Sequence, residues 1–527
     1  MQRSGIDVGL GAAGSPALAR PGTLPLVLFG CLFVLALLPV LAVPIPAMAD
    51  YPNHLARMYL LVRDGTPAES PIYRVAWTLS PNLALDLVVP RLARVMSVET
   101  ATRMFLLASQ ILTVTGAVAI ELAVKRRFEL SGFLALMVLY SIPFAWGFLN
   151  FQFGLGIGLW GIAAWLALPE RAPVLRLAVH ALVVVVLVAS HLFALGIYGF
   201  TLGLHELWRA WNRRGPLAES AIRFGTLALP ALVLLGLMLA AGGTVGEAGN
   251  RWHLGFKPFW LFASLNGYSL QLSALCSAAL AVLVYVLARA GALRLAESGA
   301  WILVGLGLLY LAVPSHLFDT AFVDLRILVA AALILPAFLT VSPPSRRAAR
   351  NAALLVLAVI LANLGLAITV ALSYRSTYAA MIDSFGRLEK GARVLIAHSG
   401  EGANPPFSEL TTYPMYNAPT LAVHYADAFV PTLFTSVGKQ PVAPREPYRR
   451  LAVPYGAPVR VAALRQLVEG ESPPDIPSYV RSWQTDFEYL YVLGPAAPNP
   501  MPDRLEFREA DPRFAVYRIR NADGPGR

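Results

Sequence analysis

Apolar runs of about 20 residues recur along this chain, and no other feature constrains its fold as strongly. Hydrocarbon offers the backbone no hydrogen-bond partner, so a run of that length must satisfy its own amides as a helix crossing a bilayer. The first run is Leu24 to Val43, and spans are expected near residues 24–46, 101–124, 131–147, 152–168, 175–190, 192–208, 220–241, 270–288, 298–314, 326–342 and 352–373. The fold class predicted is an all-α polytopic membrane protein of about eleven transmembrane helices. Composition agrees: 57% of residues are hydrophobic and 14% charged, against roughly 45 to 50% and about 25% in soluble domains.

Ala47, Met48 and Ala49 resemble the small-residue site of a cleaved leader. The preceding apolar run exceeds the roughly 7 to 15 residues of a secretory leader, so an uncleaved first helix is expected. The net charge of +11 has no aromatic-interleaved basic stripe, so nucleic acid is not expected as a partner. The basic residues instead fall between the apolar runs, as membrane topology requires. Lys125, Arg126 and Arg127, then Arg289 and Arg294, then Arg346, Arg347 and Arg350 share one side, the cytoplasm. Between Leu177 and Trp208 the sequence reads as one long helix or as two broken at Ser190 and His191. Arg171 and Arg176 before it and Arg209, Arg213 and Arg214 after it put both ends inside, which requires two crossings.

The N-terminus, with Arg3 and Arg20, is then cytoplasmic, and the chain after Tyr374 lies outside, in the periplasm of a bacterial inner (plasma) membrane. The expected organisation is a cytoplasmic tail at 1–23, a membrane domain at 24–374 with a periplasmic first loop at 47–100, and a periplasmic C-terminal domain at 375–527. In the first loop, Leu83, Leu87, Val88, Leu92 and Val95 keep helical spacing with Asp86, Arg91 and Arg94 turned away, a juxtamembrane helix kinked at Pro90. Strand-like runs at Ala392 to Ala397, Phe487 to Leu493 and Phe514 to Ile519 predict a small C-terminal α/β domain. The two cysteines, Cys31 and Cys276, lie inside apolar segments as small hydrophobes, with no disulfide framework or metal site.

Polar residues gather at the outer turns. A helix starting at Asp50 carries Asp50, His54 and Arg57 at i, i+4 and i+7 on one face. That face is either a capped helix start with Pro52 in its first turn, or a general base beside substrate-binding groups. Asn150 and Gln152 at the next outer turn, with His191 beyond, suit sugar hydroxyls; equally, the amides satisfy a tight loop. Arg251 and Lys257, with His253, Trp252 and Phe256, either hold a lipid phosphate or anchor the interface. His316, Asp319, Asp324 and Arg326 cluster at a helix mouth, where Arg326 either pairs with Asp324 or grips an anionic ligand. No phosphate-binding glycine loop is present, which argues against direct ATP drive.

This combination resembles the GT-C superfamily, membrane glycosyltransferases that take sugar from a polyprenyl-phosphate or diphosphate carrier at the outer face. The resemblance rests on architecture across residues 20–375 and on Asp50, an acid directly after the first span; the next acid is Asp64. It implies that Asp50 is a general base activating an acceptor hydroxyl for inverting attack on the anomeric carbon. It further implies that Arg57, Arg251, Lys257 or Arg326 steadies the departing phosphate. The implied partners are a polyprenyl-phosphate-linked sugar, a glycan or lipid acceptor, and membrane lipids. Some members of the superfamily use a divalent metal and others do not; with no compact ligand set in the sequence, no cofactor is expected. The rival readings are a transporter or flippase, whose polar groups would line the depth of the bundle, and a non-catalytic assembly protein.

Overall fold

The computed structural model describes residues 23–520 apart from 79, 214–215, 241–248, 318–319, 400–411, 437, 454–457, 472–475 and 495–497. Fifteen helices lead into the C-terminal region: α1 (Thr23–Leu41), α2 (Tyr51–Arg63), α3 (Ala84–Leu92), α4 (Val98–Lys125), α5 (Ser131–Val138), α6 (Ile142–Trp146), α7 (Leu149–Ala167), α8 (Pro173–Ser190), α9 (Leu192–Arg213), α10 (Leu217–Ala240), α11 (Lys257–Ala263), α12 (Leu270–Arg289), α13 (Glu297–Ala312), α14 (Val323–Ile334) and α15 (Arg346–Phe385). Seven of them, α1, α4, α7, α8, α10, α12 and α15, are long and apolar enough to cross a membrane, and α13 is a shorter apolar helix. Leu229, Leu232, Leu237 and Leu239 on α10 and Leu275, Val282 and Val286 on α12 are exposed. Water would not tolerate two such faces; lipid covers them, and the chain is a polytopic membrane protein.

The chain breaks between α8 and α9 at His191, so this stretch is two helices and not one. The run 131–147 is not one helix: α5 stops at Val138 and α6 restarts with Pro143 in its first turn, where the ring removes a donor and blocks continuation. The run 326–342 starts earlier, at Val323, and ends in a 3-10 turn, Leu335–Phe338, containing Pro336. Helix α15 continues past Tyr374 to Phe385. At the centre, α4 and α7 approach so closely that a Cβ on Gly116 would lie 2.7 Å from Leu159 Cβ, and one on Gly156 the same distance from Leu112 Cβ. Small residues permit that contact where lipid gives no hydrophobic drive for helix association.

Short strands β1 (Tyr73–Val75), β2 (Leu293–Leu295), β3 (His316–Leu317), β4 (Thr320–Ala321) and β5 (Leu339–Val341) lie between helices. In the tail, β6 (Val394–His398), β8 (Val459–Arg460), β9 (Tyr489–Leu493), β10 (Leu505–Asp511) and β11 (Phe514–Ile519) form one sheet in the order β10-β11-β9-β6-β8. β6 runs parallel to β8 and β9, while β11 is antiparallel to β9 and β10. The remaining tail strand, β7 (Val442–Pro444), pairs antiparallel with β1 of the first loop, Tyr73 opposite Pro444. First loop and tail are therefore sewn together by this strand pair.

Candidate functional site

The backbone at Asp50 is held by the end of α6. Ala49 donates to Ala145 O and Asp50 to Trp146 O, each at 2.9 Å. Gly147 then turns the chain with φ 89°, and a Cβ there would stand 3.1 Å from Tyr51 N and 3.2 Å from Asp50 N. Only glycine meets both conditions. Asp50 occupies the N-cap position of α2, yet its side chain makes no capping bond. Oδ1 instead accepts from Asn417 Nδ2 at 3.0 Å, an amide delivered by the tail. Burial outweighs that hydrogen bond and the field of Arg326, and lifts the carboxyl to about 7.

Arg326 faces Asp50 from the first turn of α14, which starts after Phe322 at φ 56°. Its side chain is buried between the Phe148 and Phe151 rings, 4.3 and 4.8 Å from their centroids. Nη2 donates to Ala321 O at 3.2 Å, and the buried Nε has no partner. Among the described residues, no carboxylate lies within ion-pair distance of this guanidinium. Nη1 meets His191 Nε2 at 3.0 Å, while Phe193 N–H points at His191 Nδ1 at 3.1 Å. A neutral imidazole has one acceptor nitrogen, so it satisfies only one of the two. Trp146, Phe148, Phe322 and Tyr416 wall the site, with Trp146 5.4 Å from Phe322 and 6.3 Å from Tyr416 between ring centroids. The Tyr416 hydroxyl is pushed up by burial and by Asp50.

The structure thus brings together Asp50, Arg326 and His191, and sends the other candidates elsewhere. Arg57 closes a two-toothed ion pair with Asp86 of α3, at 2.7 and 3.1 Å, and does not reach Asp50. His54 Nε2 bonds Gly147 O at 3.1 Å, and burial followed by the charge of Arg57 holds its imidazole well below the usual range. Asn150 clamps the start of α3, accepting from Leu85 N at 2.8 Å and donating to Asn82 O at 2.6 Å. Gln152 donates to Pro143 O at 3.2 Å. These two amides satisfy backbone.

Asp324 does not pair with Arg326: Ser315 Oγ donates to it at 2.8 Å and Lys257 Nζ lies 3.6 Å away, buried with it. Lys257 also donates to Val313 O at 2.8 Å, so its charge is absorbed locally. Arg251 is exposed and bridges the His316 backbone, and the His316 ring packs 5.5 Å from His253. Asp319 lies outside the described residues. Among the described residues, no three His, Cys, Asp or Glu side chains gather as a metal site. Sequence reasoning missed Asn417, Tyr416, Trp146 and Phe322. The one local signal for Asn417 is Asn417-Ala418-Pro419, which repeats the polar-X-Pro helix start of Asp50-Tyr51-Pro52.

No protein-family model matches the sequence, and no curated protein does. Among solved structures, the chain is similar to crystal structures of ArnT from Cupriavidus metallidurans. In the apo state the TM-score is 0.48 at 12% identity, covering 96% of this chain and 99% of that one. For the structure bound to undecaprenyl phosphate the TM-score is 0.49 at 12% identity, covering 96% of this chain and 100% of that one.

Proposed function

We propose that the protein is a membrane glycosyltransferase that moves a sugar from a polyprenyl-phosphate-linked donor to a glycan or lipid acceptor at the periplasmic face. The observation that carries this reading is the pairing of a carboxylate poised near neutrality with a buried guanidinium that has no ion-pair partner among the described residues. A base must be deprotonated yet still hold a proton well, and a raised carboxyl does both at neutral pH. A buried cation without a counter-ion is costly unless an anion completes it. Asp50 takes the proton of the acceptor hydroxyl as its oxygen bonds to the anomeric carbon. The bond from that carbon to the phosphate oxygen breaks with inversion, and the polyprenyl phosphate leaves against Arg326. Nε and the contested Nη1 supply the donors.

On the topology expected from the arginine asymmetry, with a cytoplasmic N-terminus and a periplasmic tail, this site would face outward. Alkaline phosphatase fused after Arg375 is then active and fused after Val124 is inactive. The transporter reading requires polar groups lining a path through the bundle; among the described residues, His180 bonds Tyr198 at 2.7 Å and Asn266 bonds Asn363 at 3.0 Å, so these four are not free to line one. Mass spectrometry of lipids and glycans from cells with and without the gene tests the assignment. Loss of one sugar modification, with its lipid-linked donor accumulating, supports it. Unchanged glycans with an accumulated solute overturn it in favour of transport.

A further inference from the structure

Asp50 and Asn417 are 367 residues apart, yet they stand in matching positions. Each is the N-cap of a helical turn with proline in its first two residues, and neither makes a capping bond. Asp and Asn are among the best capping residues, and a cap is worth about 1 kcal/mol. Here both forgo it and bond each other. The tail segment that brings Asn417 is fixed independently. The Asn53 amide of α2 donates to Thr432 O at 2.9 Å and accepts from Phe434 N at 2.7 Å, Tyr73 OH is bonded to Val430 N at 3.0 Å, and β7 lies on β1. Asn417 itself is buried, and its carbonyl accepts from Thr420 N at 3.0 Å. Its position therefore follows from the docking of the tail, not from the bond to Asp50.

We propose that Asn417 is a positioning residue: its amide pins Oδ1 of Asp50, leaving the second oxygen to the acceptor hydroxyl, so that the site is complete only with the C-terminal domain seated on α2. This rests on the reading of Asp50 as the base. The groups facing Asp50 are Arg326 from α14 with His191 behind it, His54 on α2, and Tyr416 and Asn417 from the tail. Of these, Asn417 alone makes a side-chain bond to the carboxylate among the described residues. An amide bonded to a carboxylate stabilises the charged form, so removing it raises the proton affinity of Asp50.

The test uses full-length protein in lipid nanodiscs and two readouts. Carboxyl infrared difference spectra over pH, with Asp50→Asn identifying the band, follow Asp50 without turnover. A lipid extract of the source cells' membranes supplies donor and acceptor for turnover. In Asn417→Leu the Asp50 band titrates about one pH unit higher, and kcat falls about tenfold at neutral pH with the donor KM unchanged. Asn417→Ser, which keeps a donor, recovers part of both, and remains informative if the leucine variant inserts poorly. A band that titrates as in the wild type in both variants overturns the proposal, as does loss of donor affinity with an unchanged band. If Asp50→Asn turns over normally, the base assignment fails by itself, whatever Asn417 does to the band.

Discussion

Removing Arg57 tests whether that residue serves the fold or the substrate. Its guanidinium and the Asp86 carboxylate are almost fully buried, with side-chain exposures of 1% and 0%, and they meet through two hydrogen bonds. Arg57→Met leaves Asp86 buried alone, and breaking such a pair from one side costs about 3 to 5 kcal/mol. In a chain of this size the unfolding midpoint should fall by on the order of 3 to 5 °C. Replacing both partners, as in Arg57→Met with Asp86→Leu, should restore most of that, because an apolar pair of similar volume is near neutral.

A pH dependence follows with a definite sign. Burial already raises the Asp86 carboxyl even with Arg57 beside it. Without Arg57 its folded-state value rises further above the unfolded one. The penalty therefore grows as pH rises from the unfolded value through the folded one, and shrinks as pH falls and Asp86 takes a proton. Thermal unfolding of detergent-purified protein, followed by the monomer fraction on size exclusion, measures both effects. An unchanged midpoint in Arg57→Met together with a raised donor KM would refute this reasoning and return Arg57 to the substrate.

Two further outcomes are expected from the site. Because the Asp50 carboxyl stands at about 7, kcat/KM should fall tenfold per pH unit below about 7, where an ordinary aspartate would hold activity to about pH 5; a flat profile between pH 5 and 7 would contradict it. Gly147→Ala adds a Cβ 3.1 Å from Tyr51 N at a backbone φ of 89°. The strain and the displaced Asp50 should cost on the order of 1 to 3 kcal/mol in stability and about tenfold in kcat, measured by thermal unfolding and steady-state kinetics.

Hydropathy is local, which is why seven long apolar helices and three of the tail strands could be read from the sequence, while the break at His191 was read from the charges at either end. The proline interruptions at Pro143 and Pro336 were visible as residues, but the apolar runs around them concealed that each ended a helix. Asp50 was legible because its position after the first span is itself local. Its partners were not: Asn417 lies 367 residues away, and the Asn53 bond to Thr432 that seats the tail spans 379. Same-face reasoning grouped Arg57 with Asp50 correctly as geometry along one helix, but a buried arginine goes to the nearest buried carboxylate, and that was Asp86 on α3. The loop amides and the Lys257–Asp324 pair were likewise taken up by backbone and by each other, because leaving a polar group unpaired away from water is costly.

On the proposed mechanism Asp50 accepts the proton while Arg326 holds the lipid phosphate. The most direct measurement is single-turnover release of polyprenyl phosphate by wild-type and Asp50→Asn protein inserted to equal levels. Asparagine keeps the size and the bond partner at Asn417 but removes the base. Release should slow by about 100-fold or more with donor binding retained. Release at the wild-type rate would rule Asp50 out, and the base would have to be sought among other residues.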